Sequence, residues 1–179
     1  VARQYTGLTT PTMMAFDLPG NLFVSEFSTD SVKRLAPNST TFTPHVGPGA
    51  GGLDGPEKIV VRGSSLYVVS ALNGKVLRFA WSNGAMLGTA APRGSETLGT
   101  VIGLAFSPAG DMLVWRATTA LPEGADPATD VGSEVLAVRI IDDELDLENL
   151  ILVSGDVAGD DDDPTFSPDG TQIVYTHSP

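Results

Sequence analysis

A strand–turn–strand unit recurs four times along the 179 residues, and this recurrence restricts the fold more than any other feature. The first copy runs from Pro11 to Ser25 (PTMMAFDLPGNLFVS), the second from Pro56 to Ser70 (PEKIVVRGSSLYVVS). The third runs from Val101 to Trp115 (VIGLAFSPAGDMLVW), the last from Asp163 to Tyr175 (DPTFSPDGTQIVY). Phe16, Val60, Phe106 and Phe166 hold one position of the unit, and Leu22, Leu66, Met112 and Gln172 hold another, six residues later. Successive copies are 44, 46 and 60 residues apart, the last spacing being stretched by an insertion at Leu121–Gly132.

Each copy is followed by two further strand signals. Ser31–Leu35, Lys75–Phe79 and Glu134–Ile140 alternate apolar and polar residues, as half-buried strands do. Thr40–Val46, Ala85–Ala90 and Asn149–Ser154 are the expected outer strands. Turn chemistry separates the strands at Leu18–Asn21, Asn73-Gly74, Asn83-Gly84, Pro108–Asp111 and Pro168–Gly170. No stretch reads as an amphipathic helix. Four strands in forty-odd residues is the period of a propeller blade, whereas a β-sandwich has no reason to repeat its sequence.

The expected fold is therefore all-β, a β-propeller of about three and a half four-stranded blades within a single region, 1–179. The blades fall near 10–48, 54–92, 100–157 and 160–179, the last incomplete, and residues 1–9 are a candidate outer strand of another blade. Three arrangements stay open. The chain is part of a larger propeller, or a four-bladed ring in which Val1–Gly7 completes the last blade. Otherwise it is an open array that takes its missing strands from a neighbouring copy, as an unfinished sheet edge invites.

Pro11–Leu35, with its FDLPGNLFVSEFSTDSVKRL, resembles an NHL repeat and the blades of SMP-30/gluconolactonase and streptogramin-lyase propellers. The AFSPAGDMLV of residues 105–114 and the PTFSPDGTQIVYTHS of 164–178 are similar to TolB-like (PD40, WD40-like) repeats. The resemblance implies blade geometry, with rings of about six or seven blades, and leaves function open. In the SMP-30-like enzymes it implies acidic and amide side chains around a channel metal, but no complete ligand set maps onto this chain. Glu26 aligns with Ala71, Arg116 and Thr176, so no ring of equivalent ligands recurs.

Charge narrows the partners. The net charge is −12, and its distribution is uneven: residues 121–179 carry fifteen acidic side chains against the single Arg139. Such a surface repels phosphate backbones, which excludes nucleic acid as the expected partner. No apolar run approaches membrane-spanning length. With no cysteine, disulfides, thiolate metal sites and cysteine nucleophiles are all excluded. Acidity, lack of cysteine and the start at Val1 suit an extracellular or cell-surface protein.

Few residues are candidates for chemistry. Asp160, Asp161, Asp162 and Asp163, preceded by Gly155-Asp156, form an acidic run that as a loop would suit calcium, a hard cation that takes several oxygens. The plainer reading is a solvated connector. Asp142, Asp143, Glu144, Asp146 and Glu148 form a second acidic stretch at a turn of the third blade. Glu26 and Asp30 follow the second strand of the first blade, where a turn or surface role is expected. His45 lies in an outer strand and His177 beyond the second strand of the last blade; a lyase-like reaction would need one of them as base. Asn38-Ser39-Thr40 is a glycosylation sequon on a turn. Trp81, Trp115, Tyr67 and Tyr175 are expected between blades. There is no G-x-S-x-G, H-E-x-x-H or P-loop. The expected function is a non-catalytic scaffold for binding a protein or ligand, or for self-assembly with further copies. The alternative is a metal-dependent hydrolase or lyase with its site in the channel.

Overall fold

The computed structural model describes residues 5–91, 101–117, 132–141, 144–149, 151–154 and 159–178. Apolar–polar alternation and glycine turns produce two four-stranded antiparallel sheets in the first half. One comprises β1 (Pro11–Phe16), β2 (Leu22–Glu26), β3 (Ser31–Leu35) and β4 (Thr43–Val46), paired in chain order. The other comprises β5 (Pro56–Arg62), β6 (Ser65–Ser70), β7 (Lys75–Ala80) and β8 (Met86–Ala91), again in chain order. Among the described residues the only helices are single turns, such as Phe27–Thr29 and Ala71–Asn73, and none is long and apolar enough to cross a membrane.

The chain divides into two compact units, Val1–Thr89 and Ala90–Pro179. In the first unit one apolar core joins both sheets. Phe23, Val32 and Val46 from the first sheet cluster with Leu53, Ile59, Leu66, Val68, Leu77 and Phe79. Every residue of β6 is buried, which is why SLYVVS lacks the alternation of a half-exposed strand. Polar contacts tie the two sheets together. Thr12 Oγ1 donates to the Pro56 carbonyl at 2.9 Å, and Ser25 Oγ lies 2.6 Å from the Glu57 carbonyl oxygen. Asp30, in the left-handed region at φ 48°, accepts the Gly55 amide on its carboxylate at 2.8 Å and the Gly49 amide on its carbonyl at 2.9 Å. The turn role expected of Asp30 is what it performs.

The described part of the N-terminal stretch meets the first sheet. Thr6 forms a parallel bridge with Thr41, and Leu8 packs beside Val24, Leu35 and Phe42. Tyr5 meets Phe42 edge-on, ring centroids 6.4 Å apart. Tyr5, Thr6 and Leu8 thus lie along the outer part of the first sheet. Residues 1–4 lie outside the described residues.

The second unit contains β9 (Val101–Phe106), β10 (Met112–Ala117) and β11 (Gly132–Ile141), joined as an antiparallel sheet. Its fourth strand is not the continuous Asn149–Ser154. Two short pieces pair with β11 instead, β12 (Glu144–Leu145) and β13 (Ile151–Leu152), separated by a helical turn at Leu147–Asn149. The Asn149 amide donates to both Asp146 carboxylate oxygens at 3.0 Å, closing that turn. β14 (Gly159–Phe166) and β15 (Ile173–Ser178) form the last hairpin, and β14 also pairs in parallel with the start of β11.

The six-residue spacing of the repeat matches cross-strand pairing only in the first copy, where Phe16 opposes Leu22. Val61, not Val60, opposes Leu66, because the turn is only Gly63-Ser64; Phe106 opposes Leu113 and Phe166 opposes Ile173 across longer turns. These last two turns close alike, with Ser107 N on the Met112 carbonyl and Ser167 N on the Gln172 carbonyl.

Gly84 tests how tightly the first two sheets meet. Its φ is +72°, and an added Cβ would lie 1.9 Å from the His45 carbonyl oxygen. Gly63 also has positive φ, +56°, but open space around it. In urea melts, Gly84→Ala should cost more than the roughly 1 kcal/mol of backbone strain expected for Gly63→Ala, by about 2 kcal/mol further. Equal losses would mean that the β7–β8 turn is free to move away from β4.

Candidate functional site

A pocket of about 600 Å³ opens where the β1–β2 turn approaches Val61 and Gly63 of the second sheet. Phe16, Leu18, Pro19 and Trp81 form its apolar walls, and Asp17 its polar floor. Phe16 is 66% exposed and Leu18 is fully exposed, although both are large and apolar. The turn leaves them no neighbour: Gly20 donates to the Asp17 carbonyl at 3.0 Å and Asp17 to the Asn21 carbonyl at 3.1 Å, so Leu18 and Pro19 stand at the tip. Large apolar side chains clustered at the mouth of a pocket are the usual mark of an interaction site.

The floor is rigidly built. Asp17 Oδ1 accepts the Asn21 amide at 2.6 Å; Oδ2 accepts Asn21 Nδ2 and Trp81 Nε1, both at 2.6 Å. Asn21 Oδ1 accepts Arg34 Nε at 3.0 Å and Nη2 at 2.6 Å. Burial by itself would raise the Asp17 carboxyl. The hydrogen bonds from the Asn21 side chain, Trp81, and the Asn21 and Gly20 amides outweigh it and hold the group below its ordinary 3.8. Both carboxylate oxygens serve the fold, which leaves shape and apolar contact as what the pocket offers. Trp81 packs against the core that the two sheets share, as the sequence leads one to expect, but its place in this pocket was not read from the sequence. The signal was Leu18-Pro19 at a turn tip, with no polar residue to explain it.

The aspartate run is not a loop. It lies in β14, where Asp160 opposes Ser178, Asp161 opposes His177 and Asp162 opposes Thr176. Aspartate is a poor strand former, yet three of the four have partners that offset this. Asp160 Oδ1 accepts the Ser133 amide and hydroxyl at 3.1 Å. Asp161, only 2% exposed, holds His177 Nδ1 at 2.9 Å. Asp162 Oδ1 lies 2.9 Å from Arg116 Nε, a charge contact without the alignment of a hydrogen bond. Asp163 is exposed at φ 50°. The solvated connector expected from charge alone is thus a paired strand, because neutral and cationic groups of β10, β11 and β15 receive it. Among the described residues no three His, Asp or Glu side chains are grouped to hold a metal ion. Gly155 and Asp156 lie outside the described residues.

Glu26 corrects another expectation. It is 0% exposed, not a surface or turn side chain, and the Thr9 amide reaches both carboxylate oxygens, at 3.1 and 2.9 Å. Lys33 Nζ completes it at 3.1 Å and also donates to the Gly7 carbonyl. A buried carboxylate survives through such pairing. In the second unit buried Glu134 accepts the Ser154 hydroxyl, which in turn accepts the Val135 amide at 2.9 Å. His45 lies on β4 against Phe23. Of the second acidic stretch, Glu144 lies in β12 and Asp146 caps a turn; Asp142 and Asp143 lie outside the described residues, as does the insertion over residues 121–131. Asn38 is exposed on its turn at φ 64°.

No family model matches the sequence, and no curated protein sequence matches it. Solved structures do. Hydrazine synthase of Kuenenia stuttgartiensis superposes with a TM-score of 0.69 at 17% identity, covering 93% of this chain and 43% of that one. A chain of the nidogen/laminin complex gives 0.68 at 15% identity, covering 93% and 56%. Virginiamycin B lyase of Staphylococcus aureus gives 0.62 at 10% identity, covering 94% and 49%. The fold is an all-β propeller, and the chain spans about half the length of these proteins.

The pocket floor has an acid-stability signature. Because the folded Asp17 carboxyl lies below 3.8, its contribution is complete above that value and is lost as pH falls through the lowered one. Asp17→Asn should flatten the fall of unfolding free energy below about pH 4. Trp81→Phe, which removes one donor to the carboxylate, should cost about 1–2 kcal/mol in urea melts at neutral pH. An unchanged acid limb in Asp17→Asn would remove Asp17 from this role.

Proposed function

We propose that this chain is a non-catalytic propeller module that binds a partner protein by seating an apolar or aromatic side chain in the Phe16–Leu18–Trp81 pocket. The observation that carries the reading is the exposure of Phe16 and Leu18 around a preformed cavity with a half-buried indole in its wall. Interfaces draw their energy from such anchors. A chain of the nidogen/laminin complex is a structural neighbour, which favours a binding role by analogy of fold alone. An extracellular or cell-surface setting agrees with the acidity and the absence of cysteine.

Leu18→Asp places a charge at the pocket mouth without touching the core. Peptides selected from a random displayed library on the wild-type chain should carry aromatic or branched apolar anchors. They should bind Leu18→Asp at least tenfold more weakly, with the melting temperature unchanged, about 1.4 kcal/mol in binding. Equal binding to both proteins would place recognition elsewhere.

A second reading, a hydrolase or lyase, rests on one contact. Asp161 holds His177 through Nδ1, the arrangement that orients an imidazole so that Nε2 can take a proton. Virginiamycin B lyase is among the structural neighbours. The metal that such a reaction implies lacks a grouped ligand set among the described residues, so no step is drawn through it. Metal-dependent opening of a lactone or streptogramin by the purified chain, lost in His177→Ala and retained in Leu18→Asp, would establish this reading over the first. A flat response across the lactone panel would remove it.

A further inference from the structure

The unit that carries the pocket, Val1–Thr89, has seven Lys and Arg against five Asp and Glu, although the chain as a whole stands at −12. Asp17 is the one carboxylate among the residues that line the pocket. It is buried, and its two oxygens already take three hydrogen bonds from Asn21 and Trp81. Arg34 of β3 stands one side chain behind that floor. Its Nε and Nη2 both donate to Asn21 Oδ1, at 3.0 and 2.6 Å, and it is half-buried where Asp17 is buried. No carboxylate among the described residues pairs with Arg34.

We propose that the partner carries its anchor on an acidic peptide segment, with a carboxylate beside the anchor received by the Arg34 guanidinium. This rests on the pocket being the binding site, and it names the chemistry of what enters there. A guanidinium has five N–H donors in a planar fork. Asn21 takes two of them, so three remain for a second acceptor. The same two bonds hold the fork in place, so an arriving carboxylate meets donors that are already ordered. The Asn21 amide is neutral and does not cancel the charge. Asp17 is linked to Arg34 only through that amide, and it lies buried among its own donors. Of the two charges, the cation is therefore the one nearer to water.

Reach and screening agree with this. Neighbouring residues of an extended peptide are about 3.3 Å apart, so an acid next to a seated anchor can meet a group one side chain beyond the floor. At physiological salt, exposed charges more than about 8 Å apart are largely screened. Groups at the rim, and not the net charge of the chain, then decide what the pocket attracts. An acidic residue alone would gain only an exposed ion pair, which is worth little. The apolar anchor supplies the affinity, and the carboxylate selects among anchors.

Calorimetry of three synthetic peptides on the whole chain at low salt tests the proposal. Each peptide has one central Trp, flanked on both sides by Glu, by Ser or by Lys. The Glu peptide should bind about fivefold more tightly than the Ser peptide, and the Lys peptide more weakly than either. That preference should shrink towards none at high salt. Arg34→Met should abolish it, and Arg34→Lys, which keeps the charge, should retain part of it. Equal binding of the Glu and Ser peptides, both weakened in Leu18→Asp, would overturn the acidic partner and leave the pocket standing. Binding of all three untouched by Leu18→Asp would remove the pocket itself. A preference that persists in Arg34→Met would place the carboxylate elsewhere and overturn the proposal. Should Arg34→Met not fold, the wild-type chain still decides, since a preference indifferent to salt has the same effect. A mass that rises with concentration in the wild-type chain and not in Leu18→Asp would make a second copy the occupant, against the proposal.

Discussion

Everything in the first unit depends on one constraint: a blade cannot bury both of its faces by itself. Phe23, Val32 and Val46 point into the same core as Ile59, Leu66 and Phe79, so each sheet exists as a folded object only because its neighbour covers it. A two-faced apolar sheet in water would expose several fully buried side chains, each worth about 1.5–3 kcal/mol. The polar ties at Thr12, Ser25 and Asp30 add direction to this apolar attraction. They fix which backbone atoms meet, and so the register of one sheet on the next.

The pocket is a by-product of that register. The β1–β2 turn is stiffened by the Trp81–Asp17–Asn21–Arg34 chain of hydrogen bonds, which crosses from one sheet to the other. Its tip is therefore presented on a fixed base, as a recognition loop should be. Rigidity there means that little ordering cost remains to be met on binding.

Architecture was legible in the sequence because period and turn chemistry are local. Pro11–Ser25 and its later copies needed no tertiary knowledge to be read as hairpins. What failed was whatever depended on a distant partner. Glu26 looked like a surface acid because the Thr9 amide and Lys33 that neutralise it come together only in the folded sheet. The Asp160–Asp163 run looked like a loop because composition registers charge and not the groups waiting for it on other strands. The one-residue offset at Val61 escaped because a two-residue turn and a five-residue turn can carry similar flanking sequences. The Leu18–Trp81 pocket lies 63 residues apart along the chain, beyond any window of pattern reading.

The aspartate tract carries a consequence for strand alignment. Four identical residues in a row contain no information about their own position; slid by one place, the tract looks the same to itself. The receiving strands, however, present a hydroxyl, an imidazole and a guanidinium in fixed order. A slip would turn every side chain to the opposite face and hand each acceptor to the wrong donor. The address of this homopolymer is thus written entirely on its neighbours, and changes at Ser133, His177 or Arg116 would be felt as errors of alignment in a segment they leave chemically untouched.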